Sequence, residues 1–243
     1  MRRTGQPKIS GHPAIKSTVA SSHRCHAAGV AHTEFVVEGG GISVEALAQA
    51  LADGMNPRVV VLVEGTSDRE VLLALAELRG RDLDAEGVEI VPMGGATKVQ
   101  AFLDVLGPEG HDVRLAGLCD APEEGHFRRG LERAGLGTNL ARSDLEQLGF
   151  YVCVIDLEDE LFRSLGTSAV EEVIAAQGQL RSFRSLQNQP AMRGAAHLDQ
   201  LRRFIKGRSG YAKTYGRLLV EALDLGRVPR PLDGVLDHTT RSP

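Results

Sequence analysis

The chain has no tryptophan, and aromatic residues make up only 4% of its 243 residues. Stacking of bases on aromatic rings is a common way to hold single strands, so this scarcity disfavours that mode of recognition. No apolar run approaches the roughly 20 residues that a membrane helix needs, and the N-terminal segment lacks the apolar core of a signal peptide. The cysteines Cys25, Cys119 and Cys153 show no paired spacing. We therefore expect a cytoplasmic protein without disulfides.

A phosphate-binding P-loop is also missing, because no G-x-x-x-x-G-K-[ST] pattern occurs in the chain. The glycine run that ends at Gly41 is followed by Ile42 and Ser43, without the lysine. The chain is therefore not expected to hydrolyse ATP alone, and any ATPase partner would be a separate polypeptide. The net charge of -4 does not mark the whole chain as a nucleic-acid binder, but it allows local basic surface.

Composition divides the chain into segments. The first residues are rich in Gly, Ser, Thr and His, and no acid precedes Glu34. The histidines and the cysteine there match no zinc-ligand spacing, so we expect a disordered tail. The predicted organisation is a tail over 1–41, a helix leading into the core over 42–57, a core domain over 58–160, a helical extension over 161–235 and a flexible C-terminus over 236–243.

Strand and helix patterns alternate from residue 58 onward, which predicts an α/β fold with a parallel sheet and helices on both faces. Capping-box pairs predict three helix starts, at Ser67 with Glu70, Thr97 with Gln100, and Ser168 with Glu171. The predicted strands cover 59–63, 88–91, 113–119 and 151–155, and the first helix covers 68–78.

Acidic residues follow three of these strands. Glu64 follows the first strand, Asp120 the third, and Asp156 with Glu158 the fourth, while Asp68 lies in the first helical turn. The carboxyl ends of parallel strands meet at one edge, where ligands bind in such sheets. Packed carboxylates repel one another unless a cation neutralises them. Oxygen ligands without His or Cys favour Mg²⁺ or Mn²⁺, which suits phosphoryl-transfer chemistry.

A structural role is the alternative for each acid alone, because acids often cap helices or complete turns. Asp68 could equally complement the helix dipole. Charge is also segregated, with acids concentrated over 144–172 and bases over 181–217. This segregation suits a metal site beside a phosphate-binding surface. The predicted contacts to a nucleic-acid backbone are Arg202, Arg203, Lys206 and Arg208.

Three motifs together resemble a toprim domain. The resemblance is strongest to the nucleases of the OLD (overcoming lysogenization defect) family, and to small stand-alone bacterial toprim proteins that lack the ATPase domain. It covers about residues 58–160 and implies a Rossmann-like four-stranded parallel sheet and a metal-dependent nuclease acting on DNA. The motifs are Glu64-Gly65-Thr66-Ser67-Asp68-Arg69, Val91-Pro92-Met93-Gly94-Gly95 and Leu118-Cys119-Asp120.

The resemblance assigns roles by position. Glu64 would be a metal ligand or general acid/base, Asp68 the second acid of its motif, and Asp120 the first Asp of an Asp-x-Asp motif. Asp156 and Glu158 resemble a later acidic motif that supplies a second metal. Lys213 matches a lysine that stabilises transition-state charge, with Lys206 as its rival, and Gly65, Gly94 and Gly95 would let the backbone approach metal or phosphate.

The second Asp of Asp-x-Asp is absent, because Pro122 stands there. Either Glu123 or Glu124 substitutes for it, or the site holds one metal, or catalysis has been lost. The alternatives to a nuclease are therefore a non-catalytic module that binds nucleic acid or a partner, and a nucleotidyl-transfer or small phosphoester enzyme. The oligomeric state stays open.

Overall fold

Four parallel strands form the centre of the fold in the order β2-β1-β3-β4. A computed structural model describes residues 41–207 and 210–241, so the predicted tail over 1–41 lies outside the described residues except for Gly41, which is buried and forms a bridge with Met93. The parallel α/β sheet predicted from the sequence is confirmed. The strands are β1 Val59–Val63, β2 Val88–Pro92, β3 Arg114–Cys119 and β4 Phe150–Val152.

Helices cover both faces of this sheet, as the alternating pattern predicts. None of the helices within the described ranges is long and apolar enough to cross a membrane. The helices are α1 Val44–Ala52, α2 Thr66–Leu78, α3 Val99–Leu106, α4 Glu124–Arg133, α5 Arg142–Gln147, α6 Leu157–Leu165, α7 Thr167–Ala176, α8 Leu180–Gln187, α9 His197–Lys206, α10 Tyr211–Glu221 and α11 Arg230–Thr240.

The uniformly apolar sequence of β1 follows from its central position. Its side chains alternate between the two faces of the sheet, and each face has its own core. Val59, Val61 and Val63 pack with α2 and the C-terminal helices. Val60 and Leu62 pack on the other face with residues of α1, α3, α4 and α5. Burial on both faces holds the end of β1 rigidly, which fixes the position of the next residue, Glu64.

The predicted helical extension shares the core of the sheet. Helix α10 packs against α2, and a Cβ atom at Gly216 would lie 2.8 Å from Val71 Cγ2. Glycine at this position therefore allows the two helices to approach closely. Phe183, Phe204 and Leu219 of the extension belong to the same buried cluster as β1.

Helix α11 corrects the prediction of a flexible C-terminus over 236–243. The helix continues to Thr240, and Leu236 and Thr239 are fully buried. Arginines bind the carbonyl groups of its last turns, which would otherwise lack partners. Arg81 donates to Leu236 O at 2.9 Å, Arg114 to His238 O at 2.7 Å and Arg58 to Thr239 O at 2.8 Å.

The predicted capping boxes are wrong at all three helix starts. Helix α2 begins at Thr66, because the Asp68 carboxylate reaches back to the Gly65 N–H and so ends the extended segment. A 3-10 turn over Ala96–Lys98 precedes α3, and α7 begins at Thr167 directly after Gly166. The sequence pattern also does not predict α5 and α6 as separate elements.

Strand β4 is shorter than predicted, ending at Val152 rather than at 155. The chain leaves the sheet there because Asp156 caps α6 and the Val154 N–H donates to Glu160 Oε1 at 2.7 Å. Val154 and Ile155 are consequently 58% and 47% exposed. This exposed segment links the sheet edge to α6.

Candidate metal centre

Glu64 stands at the carboxyl end of β1, as predicted. Its Oε1 atom accepts a hydrogen bond from the Asp120 N–H at 2.9 Å, which joins the ends of β1 and β3. Its carbonyl accepts from the Gly95 N–H at 2.9 Å, which ties in the loop after β2. The carboxylate is therefore oriented by a backbone group of the neighbouring strand end, in the way that hydrogen bonds orient the ligands of metal sites.

Asp68 combines the two roles that the sequence left open. Its Oδ2 atom accepts the Gly65 N–H at 2.8 Å, so the residue helps to start α2. The side chain also lies close enough to Glu64 and Glu158 for their charges to raise its pKa. Asp68 is thus both a helix-start residue and a member of the acidic group.

Asp120 and Asp156 connect the end of β3 to the start of α6. The Leu157 N–H donates to Asp120 Oδ1 at 3.1 Å, and the Asp159 N–H donates to Asp156 Oδ1 at 2.9 Å. Both carboxylates therefore accept from the free N–H groups of the first turn of α6. The helix N-terminus also favours negative charge at this point.

We call Glu64, Asp68, Asp120, Asp156 and Glu158 the carboxylate cluster. Burial raises the pKa of Asp120 to about 7, and the charges of the other four members act in the same direction. Burial also raises the pKa of Asp68 to about 7, followed by the charges of Glu158 and Glu64. The pKa of Glu64 is raised as well, mainly by burial. The structure thus brings together all five acids that the sequence predicted as metal ligands.

Lys206 supplies positive charge to one side of this cluster. Its Nζ atom lies 2.8 Å from Asp156 Oδ2 and 3.1 Å from Glu158 Oε2. Burial alone would lower the pKa of Lys206, but its bonds to the two carboxylates raise it overall. Lys206 was predicted to contact a nucleic-acid backbone, or to be the catalytic lysine, and the structure places it on the acids themselves.

The donor set of the cluster fits a hard divalent cation, since its side chains are carboxylates and their charge is only partly neutralised. Within the described ranges, however, no three His, Cys, Asp or Glu side chains stand close enough to hold one ion. Binding would therefore require the carboxylates to turn towards a common point.

The repulsion among the ionised acids of the carboxylate cluster predicts that removing one charge stabilises the fold. We expect the free energy of unfolding of Asp120→Asn to exceed that of wild type by about 2 kcal/mol at pH 8 without metal, since the amide carries no charge. The folded-state pKa of about 7 exceeds the ordinary 3.8. The ionised form therefore destabilises the fold above pH 7, and the gain should shrink as pH falls from 7 to 4. Urea unfolding in EDTA measures both effects.

The control for this prediction is Asp104→Asn, on the exposed face of α3. It should change the free energy of unfolding by less than about 0.5 kcal/mol at either pH. A destabilised Asp120→Asn variant at pH 8 would show that the carboxylate is not repelled in the fold.

The two substitutes for the missing second Asp occupy different surroundings. Glu124 forms ion pairs with Arg128 and Arg142, whose hydrogen bonds lower its pKa. Glu123 lies near Glu64 and contributes to its raised pKa, together with an opposing effect from His126. Glu123 is therefore the better placed of the two. His126 belongs to the rim of the site, and its spacing three residues after Glu123 was the available signal.

The predicted contacts to a nucleic-acid backbone have different surroundings in the structure. Arg202 pairs with Asp159, which is fully buried, and Arg163 binds the same carboxylate. Arg203 is exposed and makes no ion pair within the described residues. Arg208 and the side chain of Lys213 lie outside the described residues. Asp159 and Glu160 are buried acids that were not among the predicted site residues.

The glycines predicted to approach a metal or phosphate form hydrogen bonds within the fold or adopt backbone angles that favour glycine. The Gly65 N–H is used by Asp68, and the Gly95 N–H is used by the Glu64 carbonyl. Gly94 and Gly95 have φ angles of 73° and 123°, which favour glycine. A Cβ atom at Gly94 would lie 3.0 Å from Lys98 Nζ. Their conformation shapes the loop beside Glu64.

Comparison with known proteins finds a matching domain profile and solved structures with a similar fold. The sequence profile described as overcoming lysogenization defect protein-like, TOPRIM domain, matches residues 57–121. The C-terminal region of the Xanthomonas campestris pv. campestris OLD protein is 25% identical with a TM-score of 0.59, and the match covers 75% of this chain and 92% of that one.

The C-terminal region of the Burkholderia pseudomallei OLD protein shares the fold at 21% identity and a TM-score of 0.58, over 76% of this chain and 98% of that one. No curated protein sequence matches the chain significantly. Residues 57–121 are therefore an OLD-like TOPRIM domain, set in the fold of the C-terminal region of OLD proteins.

Proposed function

We propose that this chain is a metal-dependent nuclease that hydrolyses phosphodiester bonds of DNA. The observation that carries the proposal is the carboxylate cluster, in which five acids from β1, α2, β3 and α6 share one edge of the sheet. Acids that raise one another's pKa are costly to retain unless they serve a function. The OLD-like TOPRIM match supports the same class of chemistry.

Glu64, Asp68 and Asp120 are the residues that would hold Mg²⁺ or Mn²⁺. The ion would polarise the phosphate and favour formation of hydroxide from water. Glu64 accepts a hydrogen bond from the Asp120 N–H, which orients its carboxylate at the edge of the sheet. Its raised pKa brings it closer to neutral pH, which suits transfer of a proton from the attacking water.

Lys206 provides the charge that would stabilise the reacting phosphate on the α6 side. Its ammonium group is held by Asp156 and Glu158, so it is placed before substrate arrives. A fixed positive charge next to a developing negative charge lowers the barrier without reorganisation. These two acids therefore position Lys206, in addition to any role as metal ligands.

The test is nicking of supercoiled plasmid, with Mg²⁺ and Mn²⁺ in separate reactions and EDTA as the blank. The Asp120→Asn variant, purified identically, controls for contaminating nucleases. We expect wild type to convert supercoiled to open-circular plasmid only with metal, and the variant to lose this activity. Equal nicking by both proteins, or no nicking by folded wild type, would contradict the proposal.

A non-catalytic binding module is the second candidate, favoured by Pro122 at the position of the second Asp. Pro122 lies in a 3-10 turn over Ala121–Glu123, so position 122 itself offers no carboxylate and Glu123 is the acid of this turn that lies near Glu64. This candidate predicts DNA binding that persists in EDTA and no strand scission with either metal. The same plasmid assay, paired with a gel-shift experiment, separates the two.

A further inference from the structure

A cleft of about 560 Å³ runs along the outer side of the edge strand β4. Its walls come from α5, α6 and the segment that leads into α11. Four arginines line it, at positions Arg142, Arg163, Arg227 and Arg230, against two glutamates, Glu146 and Glu160. We call it the arginine cleft, and the proposed metal chemistry does not involve it.

The guanidinium groups of the arginine cleft are accessible. Arg142, Arg163 and Arg230 have acidic partners, but their side chains remain 46%, 43% and 78% exposed. Exposed ion pairs are weak, so Arg230 can exchange the carboxylate of Glu146 for a phosphate at little cost. The acidic partners of Arg142 and Arg163 are largely buried, so these two arginines keep their carboxylates. Arg227 is exposed and makes no ion pair within residues 41–207 and 210–241. The cleft thus offers Arg227 and the weakly paired Arg230 to an anionic ligand.

Apart from Ser164 and the ring of Tyr151, the remaining lining of the arginine cleft is apolar. Val154, Val228 and Pro229 contribute to it. The ring of Tyr151 packs closely against α11, since a Cβ atom at Gly234 would lie 2.2 Å from its Cε1 atom. Arginines beside aliphatic side chains suit phosphates and sugars rather than stacked bases.

The arginine cleft lies beside the chain segment that leads to the carboxylate cluster. Val154 lines the cleft and lies two residues before Asp156, and Glu160 lines the cleft while holding the Val154 N–H. The Ala121 N–H donates to Ile155 O at 3.2 Å, which fixes this segment next to Asp120. An extended ligand leaving the cluster along β4 would therefore enter the cleft.

We propose that the arginine cleft holds the sugar-phosphate backbone of the nucleic-acid strand that flanks the reacting phosphate. The position of this strand beside a reacting phosphate rests on the proposed nuclease function. Binding of a strand in the cleft can be measured without catalysis. Because the contacts are to phosphates and sugars, the cleft confers affinity with little sequence preference.

The test compares two double variants by fluorescence anisotropy with a labelled single-stranded oligonucleotide in EDTA. Arg227→Ala/Arg230→Ala removes two charges from the cleft, and Arg181→Ala/Arg193→Ala removes two exposed charges elsewhere. We expect the cleft variant to weaken Kd at least about tenfold and to lower the salt slope by about 1, and the control to change Kd less than about threefold. Equal urea midpoints confirm that both variants are folded.

Inorganic phosphate and a deoxynucleoside monophosphate are each tested as competitors of the labelled oligonucleotide. Weak competition by both supports an extended strand, whereas a monophosphate that binds as tightly as the oligonucleotide would overturn the proposal in favour of a small-ligand site. Equal weakening in the two double variants would also overturn it.

The plasmid assay separates this inference from the proposed function. Cleft-dependent oligonucleotide binding without nicking by wild type would support the cleft and refute the nuclease. Nicking that persists with unchanged Kd in the cleft variant would support the nuclease and refute the cleft.

Discussion

The Glu64→Gln variant is expected to lose at least about 100-fold in plasmid-nicking rate while remaining folded. The amide oxygen can still accept the Asp120 N–H, so the link between β1 and β3 is preserved. What disappears is the negative charge that would hold the cation and accept a proton. Because the ionised carboxylate is disfavoured by burial, the variant should unfold at the same urea concentration as wild type or higher.

The matched control is Glu132→Gln on α4. Its carboxylate also accepts a backbone N–H from a separate segment, that of Leu140 at 2.9 Å, but it is not a member of the carboxylate cluster. This variant should nick at the wild-type rate. If Glu64→Gln nicks plasmid at the wild-type rate, the role assigned to Glu64 is refuted. If activity is lost, a titration of Mn²⁺ followed by thermal shift shows whether the loss lies in metal binding or in later chemistry.

The Arg202→Met variant is expected to lose about 3 kcal/mol of unfolding free energy. Asp159 has no exposed surface, and Arg202 and Arg163 are its charged partners. Removing Arg202 leaves a buried carboxylate with the more exposed arginine alone. Methionine keeps the apolar length of the side chain, so the loss reports mainly the charge. Urea denaturation at pH 7 measures it.

Arg203→Met is the neighbouring control, because this side chain is exposed and should change stability by less than about 0.5 kcal/mol. The double variant Arg202→Met/Asp159→Asn should recover most of the loss, since no uncompensated charge remains. A destabilisation of Arg202→Met that the second substitution fails to relieve would show that packing, not charge, is the cause.

The location of the site could be predicted because it depends on local patterns. The apolar run before Glu64 and the acids after β3 and β4 define strand ends, and parallel strands bring their ends together. The same argument predicts that Asp120 and Asp156 lie on the sheet edge that carries Glu64. The two helical layers follow from the alternating pattern of strands and helices.

What the sequence did not show depends on contacts between distant segments. Lys206 and Arg202 turn inward only because α9 packs beside the acidic first turn of α6. Glu123 and Glu124 are adjacent in sequence, yet Glu123 lies near Glu64 whereas Glu124 pairs with arginines. Such differences arise from packing, which periodicity alone does not specify.

The arginine contacts to α11 also constrain how the protein is made. Arg114 bonds a carbonyl 124 residues further along the chain, and Arg58 one that is 181 residues further. During translation the apolar strand β1 leaves the ribosome long before α11 exists to complete its surroundings. Contacts of such long range slow folding and prolong exposure of apolar segments. The surroundings of β1 are therefore completed only after residue 240 has emerged.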